Sequence, residues 1–350
     1  MNWPDQRLCD LLKIDHPIVQ APMAGATSQD MAIAEALGSL GCALQAADQV
    51  VADASAARTG TNRMLNYNFF LHRSPVDDPA KTAAAKAVLK PWYDMFGLGE
   101  PAEPRETHQT FDQAMCDVLL DQRPNVVSFH FGLPNSKLVQ QIKDKECKIL
   151  TSATSAAEAV WLEQNGADAI ISQGYVAGGH NGWFLPRNGS DLAGTMALVP
   201  RIVDAVNVPV IAAGGIADGR GIAAALMLGA AGVQIGTAFL ATPECRSHDV
   251  HKSAVIAATG DDTMHTAAFS GRAARTIINP YAREMAKVID WPDFPLLNAA
   301  TVPIRATTAK DGSGAGFALW AGQAVGLART ETTSEVIERL VAKTKALLHR

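Results

Sequence analysis

Short apolar runs recur along the chain, and each run ends in small or polar residues. Their shortness and their β-branched and aromatic side chains predict buried β-strands. Segments with apolar residues at three- and four-residue spacing, typical of helices, lie between most of these runs. The eight predicted strands cover residues 17–20, 42–46, 65–71, 126–131, 148–152, 169–172, 208–212 and 232–235. Helices are predicted over residues 29–37, 155–165, 198–206 and 219–228.

The alternation of buried strands with helices indicates an α/β fold with a parallel sheet, because helical crossovers leave successive strands running in one direction. Eight such units within about 240 residues favour a (β/α)8 TIM barrel over an open sheet. Polar and glycine residues gather just after the strands, at the end of such a barrel where active sites lie. A doubly wound open sheet is the alternative.

One connection is much longer than a barrel requires. Residues 72–125 separate the third and fourth predicted strands and contain helical patterns over residues 80–89 and 111–120. Because simple loops in compact domains are far shorter, we expect a helical insertion that covers one edge of the barrel mouth.

These observations predict how the chain is divided. Residues 1–243 are predicted to form the barrel with its insertion, and residues 244–330 a second, mainly helical domain that covers the barrel mouth. An amphipathic pattern over residues 333–348 predicts a helix in the last segment, residues 331–350, which packs back on the body.

Composition and charge narrow the class of protein. The chain has 350 residues, of which 48% are hydrophobic, which is ample for a large core. A net charge of −5 and the lack of any basic run argue against nucleic acid or an anionic membrane as a partner. No apolar run approaches the roughly 18 residues of a membrane helix, and residues 1–10 do not resemble a signal peptide.

The five cysteines are scattered along the chain, and no pair of them has the spacing of a metal site or a redox motif. We therefore predict buried, reduced thiols and no metal site. The protein is expected to be cytoplasmic, and to be a monomer or a homodimer.

Two glycine motifs follow the last two predicted strands. Gly214 and Gly215 follow the seventh strand, and Gly236 and Thr237 follow the eighth. Bare backbone N–H groups at these two strand ends, with one hydroxyl, are suited to binding a phosphate, as loops after strands seven and eight of such barrels do. Each motif alone could also be a simple strand-to-helix turn.

A glycine-rich loop with a histidine follows the sixth strand. Gly178 and Gly179 directly precede His180 in this loop. Glycines let a backbone approach a flat or charged ligand closely, and histidine is the side chain best suited to proton transfer near neutral pH. The alternative is a solvated turn with an incidental histidine.

Further candidate site residues lie at other strand ends. Ala21 and Met23 follow the first strand, where small and soft side chains suit the face of a planar ring. Asn68 lies in an apolar strand and needs a hydrogen-bond partner, either a ligand or a neighbouring backbone group. Gln173 could bond the edge of a cofactor. His130, between two phenylalanines, is either a catalytic group or a satisfied core residue.

Several motifs together resemble the FMN-dependent nitronate monooxygenases, formerly called 2-nitropropane dioxygenases, and in particular their bacterial class I members. These motifs are QAPMAG, NYNFF, SFHFG, AGGH, VIAAGGIADG, GVQIGTAF and FSGRAAR, and they extend over nearly the whole chain. The resemblance implies a TIM barrel with a second, mainly helical domain and FMN at the mouth between them.

The resemblance also assigns roles to residues. It implies that His180 is the catalytic histidine and that His130 is a second active-site histidine. The implied FMN-binding residues are Gly214, Gly215, Gly236 and Thr237 at the phosphate, Ala21, Met23 and Asn68 at the isoalloxazine ring, and Gln173, Gly178 and Gly179.

The chain departs from the family pattern in two places. The family motif GxEAGGH has a glutamate where this chain has Val176. A family Tyr-Pro-Leu-Gln-Asn segment is replaced by one with Phe294 and Leu297, which would make that wall more apolar. Both changes are expected to alter the range of substrates or the rate of the reaction.

The resemblance implies oxidation of alkyl nitronates, such as propionate 3-nitronate, with FMN and O2 to a carbonyl compound and nitrite. The alternative is an NAD(P)H-dependent flavin reductase of the same superfamily, acting on a quinone or an enoyl thioester. A third hypothesis is a flavin-binding protein without efficient catalysis, suggested by Val176.

Overall fold

A computed structural model describes residues 3–32, 36–107, 110–187, 192–288 and 290–349. The strands are β1 (Ile18–Gln20), β2 (Gly38–Gly41), β3 (Leu65–Phe70), β4 (Val126–His130), β5 (Lys148–Ala153), β6 (Ala169–Gln173), β7 (Gly179–His180), β8 (Val210–Ala213), β9 (Gly232–Ile235), β10 (Thr263–Thr266) and β11 (Ala274–Ile277). The first helices are α1 (Arg7–Leu12), α2 (Gln29–Ala32), α3 (Ala47–Gly60), α4 (Pro79–Met95), α5 (Gln113–Asp121), α6 (Ser136–Asp144) and α7 (Ala156–Gln164). The later ones are α8 (Thr195–Val203), α9 (Gly219–Met227), α10 (Asp249–Ala257), α11 (Pro280–Met285), α12 (Leu297–Lys310) and α13 (Thr333–Leu348).

Eight parallel strands form the central sheet, in the order β1-β9-β8-β6-β5-β4-β3-β2. A bridge between Val19 and Leu37 joins the two ends of this order. Gln20 N–H donates to the Leu37 carbonyl at 3.0 Å, and Leu37 N–H donates to the Ile18 carbonyl at 3.1 Å. Because the sheet closes on itself, the TIM barrel prediction is confirmed and the open doubly wound sheet is wrong.

The second strand lies earlier than the sequence predicts. Residues 42–46 were expected to be a strand, but Cys42–Leu44 is a 3-10 helix and the strand is β2. A Cβ atom on Gly38 would lie 1.8 Å from the Ala32 carbonyl oxygen, so only glycine fits here. Gly38, which directly follows the helix predicted over residues 29–37, is thus the first residue of a strand. Of the helix predicted over residues 29–37, α2 is present and residues 33–35 lie outside the described residues.

The long connection between β3 and β4 contains two helices with different neighbours. Cys116 and Leu119 of α5 are buried in the same hydrophobic cluster as side chains of α3, β3, β4 and α6, as in an ordinary barrel helix. Trp92 and Tyr93 of α4 are buried with residues 268–318. The Tyr93 hydroxyl also donates to the Ala300 carbonyl at 2.8 Å. Only α4 therefore belongs to the layer beyond the barrel.

A second, antiparallel sheet connects the barrel to this outer layer. Its order is β10-β11-β7, and β7 belongs to the loop that leaves barrel strand β6. The last helix, α13, packs on α9, and its Leu340 is fully buried in the core cluster next to the barrel. The domain boundaries at residues 243 and 330 stay predictions.

Two further observations concern the class of protein. No helix in the described part of the chain combines the length and apolar character needed to cross a bilayer. All five cysteines are buried and none forms a disulfide. Burial raises the pKa of the Cys42 thiol to about 12, which keeps that group protonated.

Candidate active site

A cavity of about 700 Å³ lies at the carboxyl ends of the barrel strands, under the layer that contains β11 and α12. Cavities of this size are typical of cofactor and substrate sites. All twelve residues that the sequence singled out line it: Ala21, Met23, Asn68, His130, Gln173, Gly178, Gly179, His180, Gly214, Gly215, Gly236 and Thr237.

One end of the cavity, the glycine end, is formed mainly by the backbone of Gly214, Gly215, Gly236 and Thr237. Gly214 has φ of +102°, and a Cβ atom there would lie 2.9 Å from the Ala177 nitrogen. The Thr237 hydroxyl accepts a hydrogen bond from Gly322 N–H at 3.0 Å, which connects β9 to the outer layer. No lysine or arginine is among the described residues that line this end, so an anion here would be held by N–H groups and a hydroxyl.

An adjoining wall of the cavity joins the first and last barrel strands. A Cβ atom on Gly236 would lie 3.3 Å from the Ala21 methyl and 3.5 Å from the Met23 sulfur. Met23 is fixed by Thr27, whose hydroxyl accepts from Met23 N–H at 2.8 Å. The loop after β1 therefore offers a fixed apolar surface to the cavity.

Asn68 on β3 and Gln234 on β9, like Gln173 on β6, are amides on barrel strands that line the cavity. Asn68 donates from Nδ2 to the Ser128 hydroxyl at 2.9 Å, so part of its hydrogen bonding is satisfied inside the barrel. Gln234 on β9 has a buried Oε1 atom with no hydrogen-bond partner among the described residues. An unsatisfied buried acceptor costs free energy, and a bound ligand with a donor would remove that cost.

His180 is presented to the cavity by the small sheet. His180 pairs with Ala274 of β11, and this pairing holds the backbone of the loop against the outer layer. Its Nε2 atom lies 2.8 Å from the Ser270 hydroxyl oxygen. The centroids of the Phe294 and Trp320 rings lie 5.2 and 5.4 Å from that of the imidazole. The ring is therefore oriented by a hydroxyl within an aromatic wall.

His130 supports the backbone of His180. Its Nε2 lies 3.1 Å from the His180 carbonyl, and its Nδ1 lies 2.6 Å from the Ser152 hydroxyl. Because a carbonyl only accepts, Nε2 carries the proton and Nδ1 accepts from Ser152. Burial lowers the pKa of His130 to about 4, with a smaller effect from the positive charge of Arg272. His130 is thus a neutral imidazole at neutral pH.

Gln173 supports the same loop from the end of β6. Its Nε2 donates to the His180 carbonyl at 3.0 Å, and its Oε1 accepts from Gly182 N–H at 2.7 Å. The His180 carbonyl is therefore bonded by two side chains from two barrel strands. Both of these side chains also line the cavity.

This arrangement agrees with the comparisons with known proteins. The family model described as Nitronate monooxygenase matches residues 5–343. A protein named "Probable nitronate monooxygenase" from Staphylococcus aureus (strain MRSA252) is 36% identical over 345 residues, which cover 97% of each chain. The chain belongs to the nitronate monooxygenase family. It is therefore an oxidoreductase of a flavin-dependent family.

Solved structures give the same result. Nitroalkane oxidase from Streptomyces ansochromogenes has a TM-score of 0.91 at 34% identity and covers 98% of this chain and 99% of that one. FabK from Thermotoga maritima is more distant, with a TM-score of 0.75, 29% identity, and coverage of 99% of this chain and 98% of that one. The chain thus shares its fold over nearly its whole length with a nitroalkane oxidase and, less closely, with FabK.

The residues present fit a bound flavin nucleotide. The glycine end of the cavity offers N–H groups to a phosphate, and the wall at Met23 offers an apolar face to a ring. The unpaired Oε1 of Gln234 offers an acceptor to a hydroxyl or a ring N–H.

Val176, where the family has a glutamate, lies beside the glycine end. Its Cγ2 atom would lie 2.9 Å from a Cβ atom on Gly215, so the side chain packs over that glycine. Its carbonyl accepts from Gln323 N–H at 3.0 Å. Residue 176 is therefore in contact with the strand end where we expect the phosphate, and valine makes this contact apolar.

Sequence reasoning missed several residues that shape the site. Ser270 and Trp320 lie far along the chain, in segments without a clear periodic pattern. Glu158 could be seen as part of a capping sequence, Ser-Ala-Ala-Glu. The Ser155 hydroxyl does accept from Glu158 N–H at 3.2 Å. The carboxylate, however, accepts from Thr154 N–H and from Phe184 N–H, each at 2.7 Å, and so fixes the segment that follows His180.

Proposed function

We propose that the protein oxidises alkyl nitronates, such as propionate 3-nitronate, with FMN and O2 to a carbonyl compound and nitrite. The observation that carries this proposal is the cavity in which His180, fixed by Ser270 and by two barrel side chains, faces a glycine-lined phosphate end. The similarity to nitroalkane oxidase supports the same reaction class.

The proposed cofactor is FMN, which supplies the electron acceptor when it is bound. We propose that the glycine end holds its phosphate and that Ala21, Met23 and Asn68 flank its ring. The remaining proposed contacts are Gln173, Gly178 and Gly179. Backbone N–H groups suit a terminal phosphate because each can donate one hydrogen bond without a side chain between.

We propose that His180 holds the nitro group of the substrate. A nitronate is already an anion, so the protein does not need to remove a carbon-bound proton. Ser270 keeps the imidazole in place, and the rings of Phe294 and Trp320 keep water away from it. A hydrogen bond from an oriented donor is stronger in such an apolar surrounding than in water.

A second candidate is an NAD(P)H-dependent flavin reductase, favoured by the structural similarity to FabK. It would use the same cofactor end of the cavity and a different reductant. For either reaction we propose a cytoplasmic protein, monomeric or homodimeric, that acts on a small molecule.

Anaerobic mixing separates the two candidates. We expect the nitronate to bleach the flavin absorbance of the wild-type protein, and NADH to do so at least about 100-fold more slowly. His180→Ala should slow bleaching by the nitronate by about 10²–10³-fold, the range for removing one hydrogen-bond donor that stabilises charge in an active site. An exposed histidine, changed in His349→Ala, serves as the control.

Rapid bleaching by NADH and none by the nitronate would favour the reductase. If His180→Ala stays within a few-fold of wild type, the role assigned to His180 is wrong.

A further inference from the structure

A second cavity, of about 490 Å³, lies between α9, α13 and the 3-10 segment Gln323–Leu327. No described residue lines both this cavity and the one that contains His180. Four cations and one carboxylate are among the described residues that line it, and we call it the basic groove. Its charged residues are Asp218, Arg220, Arg329, Arg339 and Lys343.

The charge of the basic groove comes from three segments that are distant in the sequence. Arg220 lies in the first turn of α9, and Arg329 follows the segment Gln323–Leu327. Arg339 and Lys343 lie four residues apart on α13 and therefore share one helical face. Because the sequence has no basic run, this concentration of positive charge forms only when the chain folds.

The groove also contains the N-terminal end of α9. A Cβ atom on Gly219 would lie 2.6 Å from the Lys343 Cβ atom, so glycine lets α13 pack closely against the first turn of α9. The partial positive charge of a helix N-terminus therefore adds to that of the cations. Asp218 caps this end, since its Oδ1 accepts from Arg220 N–H at 3.0 Å and its Oδ2 accepts from Arg220 Nε at 2.6 Å. The one carboxylate among the described residues that line the groove is thus already bonded to α9 and Arg220.

The other three cations share a single carboxylate, that of Glu331. Arg339 donates from Nε to the Glu331 Oε2 at 2.7 Å, and Arg329 Nη1 lies 4.0 Å from the Glu331 Oε1. Lys343 has no ion pair within the described part of the chain. The Arg339 side chain is only 11% exposed, and its Nη2 has no hydrogen-bond partner among the described residues. Unsatisfied donors and unpaired charge of this kind cost free energy, which an anion in the groove would offset.

We propose that the basic groove binds the phosphate group of a small phosphorylated molecule. Arginine suits a phosphate because its guanidinium donates two parallel hydrogen bonds, and Lys343 adds a further charge. Leu327 and Leu347 also line the groove, and its volume leaves room for the organic part of a phosphate ester. The site is separate from the glycine end of the other cavity and does not depend on the proposed reaction.

Calorimetry with the FMN-saturated protein tests the proposal, because added FMN occupies the site proposed for it at the glycine end. The probes are adenosine monophosphate, adenosine and inorganic phosphate. Adenosine monophosphate should bind at least about tenfold more tightly than adenosine, since only the nucleotide offers a phosphate to the cations. Inorganic phosphate should compete with the nucleotide but bind more weakly, because it lacks the organic part.

Two double variants show where the nucleotide binds. Arg329→Met combined with Lys343→Met removes two exposed charges of the groove. It should weaken binding of adenosine monophosphate roughly 5- to 30-fold, the range for two partly exposed charge contacts. Arg201→Met combined with Arg283→Met is the matched control, since it removes two exposed charges on α8 and α11 and should leave the affinity unchanged.

A third variant tests the role of the guanidinium of Arg339. Arg339→Lys keeps the charge beside Glu331 but loses the planar fork, so it should weaken binding of the nucleotide roughly 2- to 10-fold. Thermal unfolding of each variant shows whether the fold is retained. The side chains changed in the two double variants are exposed, so both should unfold at the wild-type temperature.

Three results would overturn the proposal. The first is equal binding of adenosine monophosphate and adenosine by the wild-type protein, and the second is an equal loss of affinity in the two double variants. The third is binding of inorganic phosphate as tight as that of the nucleotide, which would leave a site for the free ion only. If no nitronate is oxidised but the expected pattern of binding is found, the proposed function fails and the basic groove stands.

Discussion

Three histidines around the cavity share one arrangement. His130, His251 and His265 each place Nε2 2.9–3.1 Å from a backbone carbonyl, that of His180, Trp320 or Tyr175. Since a carbonyl accepts only, each Nε2 is protonated and donates. Burial, the largest cause, lowers the pKa of each to about 4. These neutral rings fix backbone next to the site, and His265 also stacks on the Tyr175 ring at 4.0 Å.

The lowered pKa values predict a loss of stability in weak acid. Between the ordinary pKa of 6.5 and the folded value of about 4, the unfolded chain binds protons that the folded chain does not. The free energy of unfolding should therefore fall as the pH drops through this window, by up to about 1.4 kcal/mol per pH unit for each group. Above pH 6.5 these groups should have no effect.

His251→Gln tests this prediction because the amide can still donate to the carbonyl of Trp320 but does not titrate. In urea unfolding followed from pH 7 to pH 4, its slope should be smaller than that of the wild type. His349→Gln, at an exposed position, should not change the slope. Identical slopes for His251→Gln and wild type would count against a lowered pKa at His251.

At the scale of single residues, sequence reasoning found residues whose position follows from a strand end. His130 and Gln173 are the last residues of β4 and β6, so the barrel pattern brings them to the cavity. The sequence does not show that both side chains hydrogen-bond to the His180 carbonyl, because that contact depends on the conformation of the glycine-rich loop. Ser270 was missed because it lies 90 residues beyond His180 and precedes no predicted strand.

Among the elements, the loop after β8 requires glycine for two separate reasons. At Gly214 the backbone has φ of +102°, and a Cβ atom would press on the Ala177 backbone at 2.9 Å. The loop that contains Ala177 also contains β7. A shift of the backbone at the end of β8 would therefore also shift β7. The proposed phosphate contacts and the placement of His180 are therefore mechanically connected.

Gly214→Ala should weaken the binding of FMN. We expect a dissociation constant at least about tenfold higher and a loss of roughly 1–3 kcal/mol of stability, because an L-residue is strained at this φ. Gly312→Ala is the matched control: its φ is +75°, but no atom of the described residues lies within 4 Å of an added Cβ atom. It should lose stability without losing FMN. Retention of FMN at wild-type affinity by Gly214→Ala would contradict the phosphate assignment.

The elements that sequence reasoning misplaced are short and rich in glycine. β2 has the sequence Gly-Ser-Leu-Gly, which shows neither alternation nor a β-branched run, so the adjacent apolar residues 42–46 were preferred. Its pairing with β3 and the approach of Ala32 to Gly38 override local propensity. The strands β10 and β11 were missed because they pair with each other and with a loop, outside the barrel repeat.

For the whole molecule, the barrel could be predicted because its eight units repeat one pattern. A helical cover over the barrel mouth was predicted, but its internal packing could not be, since α4 and residues 268–318 meet only after the barrel has brought them together. This layer supplies Ser270, Phe294, Trp320 and Arg305, so the barrel side of the cavity was predictable and the side formed by the outer layer was mostly not. That difference explains why the reaction class follows from the sequence more readily than the substrate.

The most direct test of the central claim is the aerobic reaction of the purified wild-type protein with propionate 3-nitronate. We predict O2 uptake with release of nitrite, by a protein whose flavin is recovered as FMN after denaturation. The same protein should oxidise NADH only slowly in the presence of a quinone. Absence of nitrite release from any nitronate, together with rapid NADH oxidation, would contradict the account.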